Sequence, residues 1–378
     1  MSTTTKSPIK VARAALLVAT KTLPMYSHRF SPKKFTLPQL LTILVLRKFF
    51  KTDYRGITIL LQELPQLANT IGLKSVPHYT TVQKAAKRIL TFSDAVKLLY
   101  TTVECALENT KSIKLAAIDS TGLECGHISP YFLQRRRNSK IPYRNTRLTK
   151  WPKLAVIAET KNHIILAALS TYGPSSDSGH FKQALQLLPD DMHIDKLLAD
   201  AGYDSEKNHV LANEHYGIKT VIPAKIGCPT KSLPKTPYRR RMAADFDQDS
   251  YRQRSQVETV ISMIKRNLGD TLLGRSEESR NSEMLLLVIT HNIMVILLSL
   301  FMKELFYKAR IFNLRFEIVK NSVERVAGRR DLGLAIADLR LATLLRPLVL
   351  RRTSFRLRIG DPTSHKASTF VKTTVDRT

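Results

Sequence analysis

The chain has 378 residues, enough for two or three structural units whose cores need no disulfide or metal staple. Its hydrophobic share of 43% is ordinary, but 60 Lys and Arg stand against 31 Asp and Glu, a formal net charge of +29. Such an excess gathers a polyanion and makes its binding salt-dependent, which points to nucleic acid ahead of a membrane surface or a merely basic structural protein.

Residues 1–30 carry only a short amphipathic stretch, and the apolar run from Ala14 to Ala19 is too short for a signal peptide. From Thr36 the spacing of Leu37, Leu40, Leu41, Leu44 and Val45 predicts a helix, with Pro38 in its first turn. Further helices are expected over Tyr54–Leu64 and Thr80–Thr91, the last exposing Lys84, Lys87 and Arg88 in the manner of a helix-turn-helix. Cys105, Cys125 and Cys228 form no CxxC pair, so neither a zinc cluster nor a disulfide framework is expected, and a reducing compartment is.

The text changes at Ser112. Lys114–Asp119 reads as a short strand ending in a carboxylate, and Lys153–Thr160 and His163–Ser170 as a hairpin turning at Lys161-Asn162. A helix over His180–Leu188, a strand over Lys196–Asp200, a helix over Ser205–Tyr216 and a strand over Ile218–Pro223 follow, then a long helix over Ser250–Leu268. That order predicts an α/β domain, a mixed sheet with helices on its faces. Two insertions without acids, 131–153 and 225–241, are expected as phosphate-contacting loops; they hold Arg135, Arg136 and Arg137, and Arg239, Arg240 and Arg241. Met284–Phe301 is apolar enough to resemble a membrane span, but His291 and Asn292 at its centre make it a buried core helix. After residue 306 the periodicity breaks, and a basic, partly disordered tail is expected.

Three carboxylates stand out. Asp119 and Asp200 each end an apolar run and precede a glycine-containing turn, the place where α/β sheets present ligands. Two such groups bind a hard divalent cation through oxygen and leave room for phosphate. Asp204 competes with Asp200 but reads as a helix N-cap, and Asp177 as a turn residue. On a wheel of about 100° per residue with Tyr251 at 0°, Arg254, Glu258 and Lys265 fall near 300°, 340° and 320°. The stripe borders the apolar face made by Val257, Val260, Ile261, Ile264 and Leu268.

With two, three and six intervening residues, Tyr251, Arg254, Glu258 and Lys265 reproduce the Y-(2)-R-(3)-E-(6)-K signature, and the chain resembles insertion-sequence transposases with a DDE catalytic core. Asp119 in AAIDSTG and Asp200 in LLADAGYDS look like that family's first two catalytic aspartates, and Pro77–Ile89 is similar as well. The resemblance implies an RNase H-like fold over 112–305 behind a small all-α N-terminal DNA-binding or assembly domain over 1–100, with 306–378 as an atypical tail. It implies catalysis and metal binding by Asp119, Asp200 and Glu258, with two Mg²⁺ ions for which Mn²⁺ substitutes. DNA phosphate would be held by Tyr251, Arg254, Lys265 and the six insertion arginines. The partners it implies are double-stranded DNA, as terminal inverted repeats and target, and a second copy of the chain. The place is the nucleoid of a prokaryotic cytoplasm. A nuclease that does not join strands and a non-catalytic DNA-binding derivative are the alternatives.

Overall fold

The computed structural model describes residues 4–107, 112–126, 151–225 and 234–296. The chain divides into two units, Met1–Lys303 and Glu304–Thr378, and the second lies outside the described residues, as does the expected basic tail.

The first unit opens with six helices: α1 (Pro8–Thr22), α2 (Leu37–Phe49), α3 (Tyr54–Glu63), α4 (Pro65–Ile71), α5 (Tyr79–Ile89) and α6 (Phe92–Leu107). The starts of α2 and α3 are legible chemistry. Thr36 and Gln39 form a reciprocal capping box ahead of α2, and the Asp53 carboxylate accepts the Gly56 N–H at the head of α3. Helix α1 was not anticipated, because four of its buried residues are alanines (Ala12, Ala14, Ala15 and Ala19), which give little apolar contrast. These helices share one core with the sheet: Val11, Leu41, Val82 and Leu98 belong to the same cluster as Ala117, Leu154, Val156 and Leu198.

The sheet has the order β4-β3-β1-β5-β6, built from β1 (Ser112–Gly122), β3 (Trp151–Glu159), β4 (Ile165–Gly173), β5 (His193–Leu198) and β6 (Lys219–Val221); β2 (Glu124–Cys125) pairs outside it. Strands β3 and β4 form the expected hairpin, β1 extends it as an antiparallel meander, and β5 and β6 run parallel to β1. The other face packs a second core around Ile118, Leu166, Phe181, Leu197 and Tyr203. It is covered by α7 (Asp177–Leu185) and by α8 (Glu206–Val210), which passes into a π turn over Leu211–His215.

Three expectations change. Strand β1 does not end at Asp119 but runs on to Gly122, held by β3. The basic insertion 225–241, expected as a loop, runs at its end into helix α9 (Pro237–Ala244), none of whose residues is buried. The long helix over 250–268 is broken: α10 (Gln248–Tyr251) passes through a 3₁₀ turn at Arg252–Arg254 into α11 (Ser255–Leu268). After β7 (Thr271–Leu272), a last helix, α12, spans residues 277–296. Its His291 and Asn292 are buried as expected, with Asn292 bonding both backbone groups of Ile165 at 2.8 and 2.9 Å and His291 donating to the His163 carbonyl at 3.0 Å. Among the described residues no helix is long and apolar enough to cross a membrane.

Candidate active site

The parallel pairing of β1 with β5 sets Ala117 opposite Leu198. Two residues beyond that pair come Asp119, still in β1, and Asp200, just past the end of β5, close enough for the Asp200 charge to act on Asp119. Side chains alternate, and Ala117 and Leu198 both face the core that contains Val257, Val260 and Ile264 of α11. Asp119 and Asp200 therefore turn toward the helix that carries Glu258. Asp119 lies mid-strand opposite Val156, yet it is beyond the last β1–β5 pair, where the parallel sheet opens.

Electrostatics agree with this convergence. Burial raises the Asp119 pKa above the usual carboxylate range; the charges of Asp200 and Glu258 push the same way, against the Ser120 N–H and Arg254. Arg254 lies among the acids and donates to Glu258 at 2.5 Å, with its guanidinium 5.9 Å from the Tyr251 ring. Despite the 3₁₀ turn, Tyr251, Arg254 and Glu258 thus stay together. Lys265 lies partly exposed further along α11. The start of this segment is fixed by Asp247, which accepts from Lys196 of β5 at 2.7 Å and from the Ser250 N–H at 3.0 Å; the Lys196 bond above all depresses its pKa.

Each carboxylate has one oxygen occupied. Asp119 Oδ1 accepts the Ser120 N–H at 2.7 Å, Asp200 Oδ1 the Gly202 N–H at 2.8 Å, and Glu258 Oε1 the Arg254 guanidinium. Among the described residues the other oxygen of each has no hydrogen-bond donor. Three hard oxygen donors that repel one another suit a divalent cation in chemistry. They are not gathered into a coordination shell: among the described residues no three His, Cys, Asp or Glu side chains stand in metal-holding geometry. Glu258 is instead paired with Arg254.

Asp204 is not the N-cap expected of it; Ser205 occupies that position. Its side chain is fully buried and accepts from the Lys225 N–H at 2.7 Å and from the Arg239 guanidinium at 2.8 and 2.9 Å. The Glu206 carboxylate accepts the Tyr238 and Arg239 N–H groups at the head of α9 at 3.0 and 3.2 Å. Arg239 is thereby committed to an anchor, while Arg240 and Arg241 remain on the outer part of the helix. Arg135, Arg136 and Arg137 lie outside the described residues.

Sequence reasoning missed a group beside Asp119. Asp177, read as a turn residue, begins α7, and its Oδ1 receives the Ser120 hydroxyl at 2.5 Å and Lys153 Nζ at 2.6 Å. Tyr203 is buried against Phe181; burial, then the charges of Asp177, Asp119 and Asp200, hold its pKa well above the usual phenol value. No spacing in the sequence links residues 120, 153 and 177, so only the folded sheet reveals the group.

A five-stranded mixed sheet with carboxylates at its parallel opening is compatible with an RNase H-like DDE domain. Residues 110–293 match the family model of the transposase DDE domain, a stretch that contains all three carboxylates and leaves α1 to α6 outside. The match supports a transposase-type reading of this segment. No curated protein matches the chain.

Proposed function

We propose that the protein is a DNA transposase that binds the ends of its own mobile element and carries out metal-dependent phosphodiester cleavage and strand transfer. Asp119, Asp200 and Glu258 are its metal-holding catalytic residues. The observation that supports this reading is that Asp119 and Asp200 both lie two residues past the last β1–β5 pair, with Asp200 and Glu258 close enough to perturb Asp119 and one oxygen of each carboxylate uncommitted. Divalent ions bound there, Mg²⁺ or in its place Mn²⁺, supply charge stabilisation to the attacking and leaving oxygens of an in-line displacement.

The chain's own residues do the positioning. With Glu258 holding an ion, the Arg254 guanidinium that it now accepts from would be free, and its planar fork would suit a phosphate oxygen pair. Tyr251 packs beside Arg254 and orients it, and Lys265 contacts phosphate further along the same helix. Arg240 and Arg241, with Arg135, Arg136 and Arg137, follow the backbone of the duplex away from the cut, while Arg239 holds α9 in place. Two copies of the chain pair two DNA ends in the nucleoid.

The test is a cleavage and joining assay on a duplex carrying the element's end, in Mg²⁺ and in Mn²⁺. Asp119→Asn is expected to lose cleavage by several orders of magnitude while binding the duplex as the parent does. Undiminished cleavage by this variant would refute the catalytic assignment. Cleavage by the parent without a joined product identifies a nuclease.

A further inference from the structure

The segment between α1 and α2 belongs to neither the carboxylate site nor the basic insertions. Its ends are tied by the Leu37 N–H donating to the Met25 carbonyl at 2.9 Å. Within it the Ser31 N–H donates to the His28 carbonyl at 3.0 Å, the His28 N–H to Ser31 Oγ at 3.1 Å and the Phe30 N–H to His28 Nδ1 at 3.3 Å. The loop thus satisfies its own backbone at the tip and presents a fixed shape. At that tip Phe30 is 76% exposed, the most exposed large apolar side chain among the described residues. Arg29 lies over its ring at 4.6 Å, and Lys33 and Lys34 are exposed further along the same loop, with Lys34 Nζ 5.5 Å from the centre of the Phe35 ring. No Asp or Glu precedes Asp53 in the sequence, so the loop and both flanking helices carry positive charge only.

An isolated exposed phenylalanine on a protein surface needs no explanation. Here the ring is held at the apex of an internally bonded loop, with one cation over it and two more exposed in the same loop, and that combination matches a polyanion with flat apolar faces. We propose that the 25–37 loop is a DNA-contacting tip: Phe30 enters the duplex as a wedge against a base step, and Arg29, Lys33 and Lys34 bind the flanking phosphates. Apolar wedges of this kind unstack a step and kink the duplex, and the neighbouring cations offset the unstacking. The proposal rests on the reading that this protein acts on DNA, and it adds a contact remote in sequence from the matched DDE segment.

The experiment uses the full chain and a mixed-sequence linear duplex containing 2-aminopurine, with binding followed by anisotropy and unstacking by the emission of the probe. The parent should bind and brighten the probe. Phe30→Ala should bind on the order of tenfold more weakly and leave the probe dark, with its salt dependence unchanged, because only stacking is lost. Lys33→Ala with Lys34→Ala should flatten the slope of log affinity against log salt by about 1.8, two phosphates' worth. Phe30→Trp should restore both binding and brightening. Since Phe30 is exposed, an unaltered melting temperature for Phe30→Ala is expected and shows that the variant is folded. Equal affinity and equal brightening by Phe30→Ala overturn the loop assignment while leaving the transposase reading intact, and failure of the parent to bind any duplex sinks both. Loss of self-association by Phe30→Ala, or of binding to anionic phosphatidylserine vesicles, with duplex binding unchanged assigns the ring to a second copy or to a membrane and overturns the proposal.

Discussion

Glu283→Gln should destabilise the protein far more than a surface change, for a reason that can be worked through contact by contact. Glu283 is 5% exposed on α12 and accepts from Lys48 and from the Leu273 and Gly274 N–H groups at 2.8 and 2.9 Å, with Arg47 at 3.8 Å. Lys48 and Arg47 are themselves 6% and 4% exposed, so the carboxylate is what balances two buried cations. A glutamine keeps the shape and can still accept from the two amides, but it leaves both cations uncompensated, a change that costs about 3–5 kcal/mol in buried pairs. The loss has a ceiling, because Lys48 can shed its proton. Burial chiefly, with Arg47, already lowers its pKa, and Glu283 is what opposes them. Deprotonating an ordinary lysine at pH 7 costs about (10.4 − 7) × 1.36, or about 4.6 kcal/mol. The sign of the pH dependence follows. With Glu283 gone the folded pKa of Lys48 lies further below its unfolded value, so the unfolded state binds more protons and stability recovers as pH rises toward 10.4, by about 1.4 kcal/mol per unit. Urea unfolding followed by far-ultraviolet circular dichroism at pH 7 and pH 9 measures this, and Lys48→Met in the Glu283→Gln background should recover much of the loss. A defect below about 1 kcal/mol, or one that does not shrink with pH, refutes the account of a buried charge imbalance.

Other outcomes follow from the same geometry. Asp200→Asn should abolish cleavage at an unchanged melting temperature, whereas Asp204→Asn should cost about 2–3 kcal/mol of stability and keep residual cleavage, since Asp204 anchors Arg239 and the Lys225 amide. The reverse pattern would exchange the two roles. Asp177→Asn should lower kcat about tenfold with KM nearly constant, and a double-mutant cycle with Lys153→Met should show coupling, because the two side chains and the Ser120 hydroxyl share one oxygen. Independent, additive effects would remove Asp177 from the support of Asp119. His291 is fully buried, and burial lowers its pKa from 6.5 to about 4. Its folded pKa is below the unfolded one, so its contribution is present above pH 6.5 and is lost as pH falls toward 4, by about 2.5 × 1.36, or 3.4 kcal/mol in full. Stability curves of the parent and His291→Gln between pH 7 and pH 4 compare directly, and parallel curves would show that this histidine does not set the acid limit.

Elements with a strong local signal were legible in the sequence. Helices α2 and α3 announce themselves through a capping box, an Asp cap and dense leucine, and the β3–β4 hairpin through two apolar runs on either side of Lys161-Asn162. A mixed sheet with helices on its faces follows from three sequential strands succeeded by alternating units, whereas its strand order is set by the folded pairing. What failed locally was decided by partners distant in sequence. Strand β1 continues past Asp119 because β3 pairs with it as far as Gly122, which no residue of β1 declares. Helix α9 buries nothing and has only its N-terminus held, by Glu206 and Asp204, so composition alone reads it as a charged loop. The 3₁₀ turn at Arg252–Arg254 lies inside a stretch of good helix formers, and an unbroken wheel through Tyr251 is therefore an idealisation. The first three members of the stripe stay together because Arg254 contacts both Tyr251 and Glu258.

The choice between Asp200 and Asp204, which spacing left open, turns on where each residue sits relative to the end of β5. Asp200 is still extended and follows Leu198 by two, so it keeps the face that Leu198 shares with α11. The 3₁₀ turn at Ala201–Tyr203 then carries the chain over the end of the strand, and Tyr203 drops into the opposite core. Asp204 leaves that turn fully buried, facing Arg239, His209 and the Lys225 amide rather than the parallel opening. A buried carboxylate with its oxygens committed to such donors has no room for a phosphate, whereas Asp200 gives one oxygen to Gly202 and keeps the other. The glycine is part of that arrangement: a Cβ at position 202 would come within 2.8 Å of Asp200 Oδ1 and push the carboxylate off its amide. The short stretch from Asp200 to Asp204 thus separates the acid proposed for the site from an anchoring acid by one turn of backbone.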